Sequence, residues 1–280
     1  MALPKIYADT VGMKGRTVDQ GWIETSSGAG STTFGTATGL FGSELTTFGA
    51  SGQVQWSFVS TSNITGHGRV NDNLDGAPVS FTESKNGVRF SLGSGKQCDF
   101  VAFHCSKADS NVTFYIYTSD SAGASYSQLS SASITVGWNI VSFSATTKQY
   151  WVFQVESSTS SMDLELSEII LGGLVTFPHM YALDGKFDRI HQNKLIESEN
   201  GVEYAHKTGV SRRKWDLSMP NIDSTFKGEL DNLYGNLDGS DKNFLFVDDN
   251  VDKFYVRMAG KPIVGQIASN RYSANIHISE

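Results

Sequence analysis

The chain is poor in charged residues, proline, methionine and cysteine. Charged residues make up 18% of its 280 positions, and it contains 5 prolines, 6 methionines and 2 cysteines. No segment approaches the run of about 18 apolar residues that a membrane-spanning helix needs. The N-terminus also lacks the apolar stretch of a signal peptide. We therefore expect a soluble protein with no export signal of its own and no membrane insertion.

The chain also lacks an excess of basic residues. Its net charge is −7 and its isoelectric point is about 5.4, whereas nucleic-acid-binding proteins usually present a clustered basic face. Arg212, Arg213 and Lys214 form the one basic cluster. Three charges ahead of a strand are typical of a solvated edge. The sequence therefore predicts no nucleic acid sequence recognition.

Motifs that carry catalysis are missing. The six histidines form no metal-binding pair at short spacing, and no nucleophile elbow, phosphate loop or dinucleotide fingerprint occurs. Asp248, Asp249 and Asp252 are interpreted as a turn between two strands, because Asp side chains accept hydrogen bonds from nearby backbone groups. Glu165 and Glu168 either pair across a glycan cleft or lie on an exposed strand edge. We expect no catalytic residue, no cofactor and no enzymatic activity.

Asp72 and Asp75 are weak candidates for a metal site. They precede Gly76 in a pattern slightly like a calcium-binding loop, but the terminal Glu of an EF-hand is absent. We therefore expect the chain to hold no metal.

The two cysteines are predicted to be buried, reduced thiols. The spacing between Cys98 and Cys105 is not a metal-binding spacing. If one strand contains both, their odd separation places them on opposite faces, where they cannot form a disulfide.

The residues that are abundant favour strands and turns. Glycine occurs 28 times, and apolar residues alternate with polar ones from about residue 53 to 171. About eight short strands separated by polar turns predict a β-sandwich or jelly roll.

Residues 26–52 form a different kind of segment, rich in glycine, serine and threonine but spaced by aromatic residues. Flexible linkers usually lack such residues. Phe34, Phe41 and Phe48 are therefore predicted to anchor an extended arm on a neighbour, within the chain or in another subunit. The alternative is a loop with incidental aromatics.

The last third of the chain predicts strands and one helix. Asn200-Gly201 is a strong hairpin signal between residues 194–199 and 202–207. A helix is predicted from Asp223 to about residue 232–234, with Leu230 and Leu233 on its apolar face and Gly235 as its stop.

The order of elements in this part resembles the tube-like domain of bacteriophage distal tail and other minor tail proteins. The resemblance rests on the strand Arg212–Ser218, the helix, the aromatic strand Phe244–Asp249, and the strands Phe254–Met258 and Tyr272–Ile278. It implies a virion protein of the tail, synthesised and assembled in the host cytoplasm. Its partners would be copies of itself, in a ring that is typically hexameric, and other phage tail proteins. Leu230 and Leu233 would support that assembly.

A second resemblance covers about 120 residues in the middle of the chain. The segments Asn73–Gly76, Asn111–Tyr117, Gly137–Asn139 and Leu164–Ile169 are similar to discoidin-type and carbohydrate-binding jelly rolls. This resemblance implies a surface glycan as a ligand. Candidate residues that could stack on sugar rings are Tyr115, Tyr117, Tyr126 and Trp138, although a role in the core explains most of them better.

The predicted fold is mainly β, a jelly-roll or β-sandwich domain plus a tail-tube-like β-sandwich domain carrying one α-helix. The predicted domains are residues 1–52, strands and arm, residues 53–171, the jelly roll, and residues 172–280, the tail-like domain. Residues 1–25 are expected to join the last domain. The leading functional hypothesis is a structural protein of a phage tail tip. The alternative is a carbohydrate-binding adhesion module or a fibre-associated host-recognition protein.

Overall fold

A computed structural model describes most of the chain. The described residues are 2–11, 18–20, 22–25, 55–58, 64–65, 79–121, 126–181, 187–190, 193–197, 203–207 and 212–280. Within 18–84 and 187–207, and at 160–161, the description covers the backbone alone. The chain divides into two compact units. We call Met1–Thr10 with Gly173–Glu280 the terminal unit, and Val11–Gly172 the inserted unit.

The inserted unit consists of strands in its described part. They are β2 (Val18–Gln20), β3 (Trp22–Thr25), β4 (Gln55–Phe58), β5 (Ile64–Thr65), β6 (Val79–Lys107), β7 (Val112–Ser119), β8 (Ser127–Ser133) and β9 (Gly137–Gly172). Together with the terminal unit, this makes the chain mainly β, with one helix among the described residues. The predicted class of jelly roll or β-sandwich is confirmed.

The two long strands β6 and β9 each contribute to two layers, because they change partners along their length. Residues 85–91 pair with 150–156, whereas 96–105 pair with 137–148 and 100–107 pair with 165–172. The front layer therefore contains β8, β7, 150–157, 85–91 and β2. The back layer contains 137–148, 96–107, 161–172, 79–83 and β5. The two layers agree with the predicted sandwich, but β6 and β9 are long strands that pass between layers, where short strands separated by turns were predicted.

The core of the inserted unit lies between these layers. Phe103 of the back layer stacks on Phe114 of the front layer with ring centroids 4.1 Å apart, and Phe114 lies 5.7 Å from Phe153. All three side chains are buried. Since full burial of one such side chain contributes about 1.5–3 kcal/mol, the aromatic stack is a main source of stability.

Cys98 and Cys105 are free and buried, as predicted. The prediction that they face opposite sides is wrong, because both belong to the core cluster between the layers. The register of β6 shifts between Cys98 and Phe100. Cys98 is opposite Thr146 and Phe100 is opposite Ser142, so the extra residues of this bulge lie on β9, and the regular alternation of facing is interrupted there. Burial raises the pKa of the Cys105 thiol to about 12.

The terminal unit is built on an eight-stranded sheet. Its strands are β1 (Lys5–Tyr7), β10 (Leu174–Thr176), β11 (Phe187–Ile190), β14 (Arg212–Ile222), β15 (Asn243–Val247), β16 (Lys253–Met258), β17 (Ile263–Ala268) and β18 (Arg271–Ser279). The strand β1 lies between β10 and β15, so the first residues of the chain and its last third share one sheet. Thr10 Oγ1 accepts a hydrogen bond of 2.7 Å from the Gly173 backbone amide, where the chain leaves and re-enters this unit.

The helix α1 (Ser224–Asn236) begins as predicted, since Asp223 Oδ1 accepts a 2.8 Å hydrogen bond from the Phe226 amide. Its end differs from the prediction. Gly235 lies inside the helix, and the left-handed backbone comes later, at Asp238 and Gly239. The helix continues because the Leu237 amide still bonds the Leu233 carbonyl.

The predicted burial of Leu230 and Leu233 is confirmed, with exposed fractions of 0% and 1%. They share a core cluster with Phe244 and Phe246, as expected, and the helix also contacts β18. Neither leucine reaches the surface, so both contribute to the core of this unit.

The predicted hairpin is described as β12 (Asn193–Glu197) paired with β13 (Glu203–Lys207), and residues 198–202 lie outside the described residues. Another prediction is corrected in its boundaries. Residues 1–25 were expected to join the C-terminal third as a group. The terminal unit takes Met1–Thr10, whereas β2 and β3 lie in the inserted unit.

Candidate functional site

The outer face of the front layer brings together three of the four predicted glycan-contact residues. Across β7 and β9, Tyr115 lies opposite Gln154 and Tyr117 lies opposite Val152. Tyr117, Tyr126 and Val152 form a buried cluster against which Tyr115 packs. Tyr115 and Tyr117 share a face because alternate residues of a strand do, and the pairing of β7 with β9 brings Val152 beside them.

Two of these tyrosines have no surface to offer a ligand. Tyr117 is 1% exposed and Tyr126 is 2% exposed. The contact role predicted for them does not fit this burial. They support Tyr115 instead, whose ring lies 6.2 Å from that of Tyr117.

Tyr150 is a further aromatic residue on this face that the sequence analysis missed. It is partly exposed, packs against the same cluster and lies opposite Ser119 and Ser91. The Arg89 guanidinium carbon lies 5.8 Å from the Tyr150 ring centroid. The sequence could have indicated Tyr150, because it lies two residues before Val152 and alternate residues of a strand share a face.

Polar groups flank the two exposed tyrosines. Glu156 lies opposite Lys85, whose Nζ is 3.3 Å from Glu156 Oε2. Gln154 Nε2 donates to the same oxygen over 3.3 Å, although Gln154 is fully buried. The Glu156 carboxylate is thus held in place by two donors. We call Lys85, Arg89, Tyr115, Tyr150 and Glu156 the tyrosine face.

Trp138, the fourth predicted glycan contact, lies elsewhere, on the outer face of the back layer. Its ring is 5.3 Å from that of His104, the residue opposite it in the sheet. His104 Nδ1 and Ser167 Oγ are 2.6 Å apart, and Glu168 is opposite His104 on the other side. Glu168 is 4% exposed. The exposed-edge interpretation of Glu168 is therefore wrong, since its strand segment pairs inside the layer.

Glu165 and Glu168 do not form a pair across a cleft. Glu165 accepts a 2.9 Å hydrogen bond from the Ser106 hydroxyl, at the rim of the same layer. Glu168 instead lies in one row of the sheet with the partly exposed His104 and Trp138, beyond a register shift of the strand.

The acidic turn after β15 is the structural turn that its residue types predict. Asp248 Oδ1 accepts hydrogen bonds from the amides of Asn250 and Asp252, at 2.9 and 2.8 Å. Burial is the largest cause that raises the pKa of Asp248. Tyr181 Oη donates to Asp249 Oδ1 over 3.5 Å.

Several predicted residues lie outside the described part of the chain. They are the arm anchors Phe34, Phe41 and Phe48 and the metal candidates Asp72 and Asp75. Where residues are described, no group of three or more His, Cys, Asp or Glu side chains is placed to hold a metal ion. In the same residues, no helix has the length and apolar character needed to cross a membrane.

No protein-family model matches the chain, and no curated protein matches it either. Solved structures do resemble it. Chitosan-binding module 1 from the chitosanase/glucanase of Paenibacillus sp. IK-5 has 19% identity and a TM-score of 0.34 over 40% of this chain and 91% of that chain. The CBM32 of AlyQ, in complex with 4,5-unsaturated mannuronic acid, has 23% identity and a TM-score of 0.33 over 39% and 89%.

A GH29 fucosidase from Ruminococcus gnavus, in complex with fucose, also resembles the chain. Its identity is 14% and its TM-score 0.36, over 41% of this chain and 24% of that chain. The similar structures thus include carbohydrate-binding modules. At these identities and scores, none of them assigns a family or a ligand to this chain.

Proposed function

We propose that the inserted unit binds a surface glycan through the tyrosine face, so that the chain acts as a carbohydrate-binding adhesion or host-recognition protein. The observation that carries this proposal is the combination of two partly exposed tyrosines with fixed polar groups on one outer face. The sequence resemblance to carbohydrate-binding jelly rolls agrees with it.

Aromatic and polar groups are both needed for a sugar. The apolar C–H face of a sugar ring packs on an aromatic ring, here Tyr115 or Tyr150. Its hydroxyl groups need donors and acceptors of fixed geometry, which Arg89 and Glu156 supply. Because Glu156 is already oriented by Lys85 and Gln154, little side-chain freedom is lost on binding.

The composition of this face favours binding over cleavage. Glycoside hydrolysis usually needs two carboxylates about 5–9.5 Å apart. In residues 85–91, 112–119, 127–133 and 150–157, which form the described side chains of the front layer, Glu156 is the only carboxylate. We therefore infer a non-catalytic role for the tyrosine face.

The test is a glycan array with the full chain, followed by calorimetric titration of the best ligand. Tyr115→Ala and Tyr150→Ala should each weaken binding about tenfold, which is about 1.4 kcal/mol. Tyr255→Ala is the matched control, since Tyr255 is a partly exposed tyrosine of the terminal unit. Equal affinity of all three variants, or no glycan bound by the unaltered chain, would contradict the proposal.

A second proposal is a structural role in a phage tail, where copies of the terminal unit form a ring and contact other tail proteins. Besides the sequence resemblance, one observation favours it. The strand β17 pairs with β18 and, in the described residues, with no other strand. It exposes 62% of Ile263 and 57% of Ile267. An apolar strand edge of this kind is suited to pairing with another chain.

Mass photometry of the full chain tests this role. Ile263→Lys with Ile267→Lys should convert a ring, expected to be hexameric, to monomers because charges on a strand edge oppose pairing. Val136→Lys is the control, because Val136 is equally exposed, at 66%, but lies in the inserted unit. A monomeric unaltered chain would exclude the assembly role and leave glycan binding untouched.

A further inference from the structure

A cavity of about 480 Å³ lies on the terminal unit, and its lining is rich in cations. Lys214, Ser279 and Arg257 form one row across β14, β18 and β16, because Ser279 is opposite both of the others. Arg212 lies two residues before Lys214 on β14, and Ser240 adds a second hydroxyl-bearing residue to the lining. Alternation along β14 places Arg212 and Lys214 on the same face of the sheet.

Among the described side chains, the three cations of this lining enter no ion pair with a carboxylate, whereas three other cations of the terminal unit do. Arg213 pairs with Glu280, Lys227 with Asp231 and Lys242 with Asp238. Arg212, Lys214 and Arg257 enter none of the ion pairs found there.

The acidic residue of the lining does not neutralise them. Both carboxylate oxygens of Glu280 accept hydrogen bonds from Arg213, which itself lies outside the lining, and the Nε bond is 2.8 Å long. On the neighbouring strand β11, Asp188 occupies the register position opposite Lys214. Among the described side chains of the lining, three cations therefore stand against one carboxylate, that of Glu280.

We propose that this cavity binds a small ligand that carries a multivalent oxyanion, of the phosphate or sulfate ester class. Guanidinium groups bind such oxygens in bidentate fashion, and the Lys214 ammonium adds a point charge. The hydroxyls of Ser240 and Ser279 can donate to the remaining oxygens. The volume lies in the range of about 300–1,000 Å³ usual for small-ligand sites, so the anionic group can be attached to a group of the size of a sugar.

This site is independent of the tyrosine face. The two lie in different units and share no residue. Loss of glycan binding in a tyrosine variant therefore leaves the anion site to be tested on its own, and the reverse also holds.

The experiment is calorimetric titration of the full chain with inorganic pyrophosphate and with glucose 6-phosphate at low ionic strength, where charge interactions are least screened. The unaltered chain should bind both probes. Lys214→Gln with Arg257→Gln should weaken binding at least tenfold. Lys261→Gln with Arg271→Gln is the matched control, because it removes the same charge from two exposed positions of the same unit, and it should bind as the unaltered chain does.

Three outcomes would overturn the proposal. The first is that the unaltered chain binds neither probe. The second is an equal loss in the control variant, which would mean that overall charge drives binding. The third is that the cavity variant binds both probes normally but changes its oligomeric state, which would make these cations a contact for an acidic protein surface. Thermal melting of each variant is the check that its fold is retained.

Discussion

The two units place their aromatic side chains differently. In the inserted unit, Tyr115 and Tyr150 lie on an outer face, although the core between the layers is already filled by phenylalanines and a tryptophan. In the terminal unit, the large aromatics Trp215 and Phe246 gather in the core, and Arg213 covers its edge by lying 4.6 Å from the Phe254 ring. Tyr255 and Tyr272 of the terminal unit are partly exposed as well, so the polar groups held beside Tyr115 and Tyr150 distinguish the tyrosine face more than the tyrosines do.

The largest expected effect concerns the helix of the terminal unit. Leu230→Ala with Leu233→Ala should lower its free energy of unfolding by about 2–5 kcal/mol per leucine, because each change leaves a cavity in the core. Scanning calorimetry of the full chain should show an early transition for this unit, while the transition of the inserted unit stays unchanged. Glu229→Ala, on the exposed side of the helix, is the control. A single shifted transition would show that the units unfold together.

The second prediction separates the buried and exposed tyrosines of the inserted unit. Tyr117→Ala should cost about 3–5 kcal/mol of stability, as for other large aromatic truncations in a core. Tyr115→Ala should cost less than half of that, since its ring is partly in solvent. Chemical denaturation measures both. Equal losses would mean that Tyr115 is a core residue and would weaken the case for the tyrosine face.

A third prediction uses the Cys105 thiol, whose pKa burial raises from 9.0 to about 12. Because the folded pKa is the higher one, the stability from keeping this thiol neutral is complete below pH 9. It decreases above pH 9 by about 1.4 kcal/mol per pH unit. Denaturation of the unaltered chain and of Cys105→Ala between pH 9 and 10.5 checks this, since other groups titrate alike in both. Parallel pH profiles would contradict it.

The smallest effect is expected at the start of the helix. Asp223→Ala should cost about 0.5–2 kcal/mol, because the Phe226 amide loses its acceptor. Asp223→Asn keeps an acceptor oxygen and should be close to neutral. The calorimetric transition of the terminal unit measures the stability of both variants. An equal loss in the two variants would assign the effect to the lost charge and not to the lost hydrogen bond.

The sequence predicted more of the fold than of the candidate site. Alternation in segments such as Val112–Ile116 and Val88–Leu92 is a local property, and it indicates strands whatever their partners are. The cap at Asp223 and the buried positions Leu230 and Leu233 follow from helix geometry in the same way. The facing of Cys98 could not be predicted, because a bulge depends on how two strands pair.

The candidate site could also be predicted only in part, because burial and contacts depend on strand pairing. Tyr115, Tyr117 and Tyr126 stood out as aromatics near loops, yet their burial depends on the neighbouring strand, which brings Val152 against them. Tyr150 and Arg89 are 61 residues apart in number and meet because residues 85–91 pair with 150–156. Trp138 belongs to the other layer for the same reason.

The sequence by itself determined the strand content, the helix and its cap, the buried thiols and the set of aromatic candidates, since each depends on neighbours within a few residues along the chain. The tertiary structure alone decided which aromatics stay at the surface and which cations meet in a cavity. Arg257 and Lys214 lie on separate strands, and Ser279 between them brings both to one row. Long-range strand pairing and register set such contacts, and no local pattern of residue types contains that information.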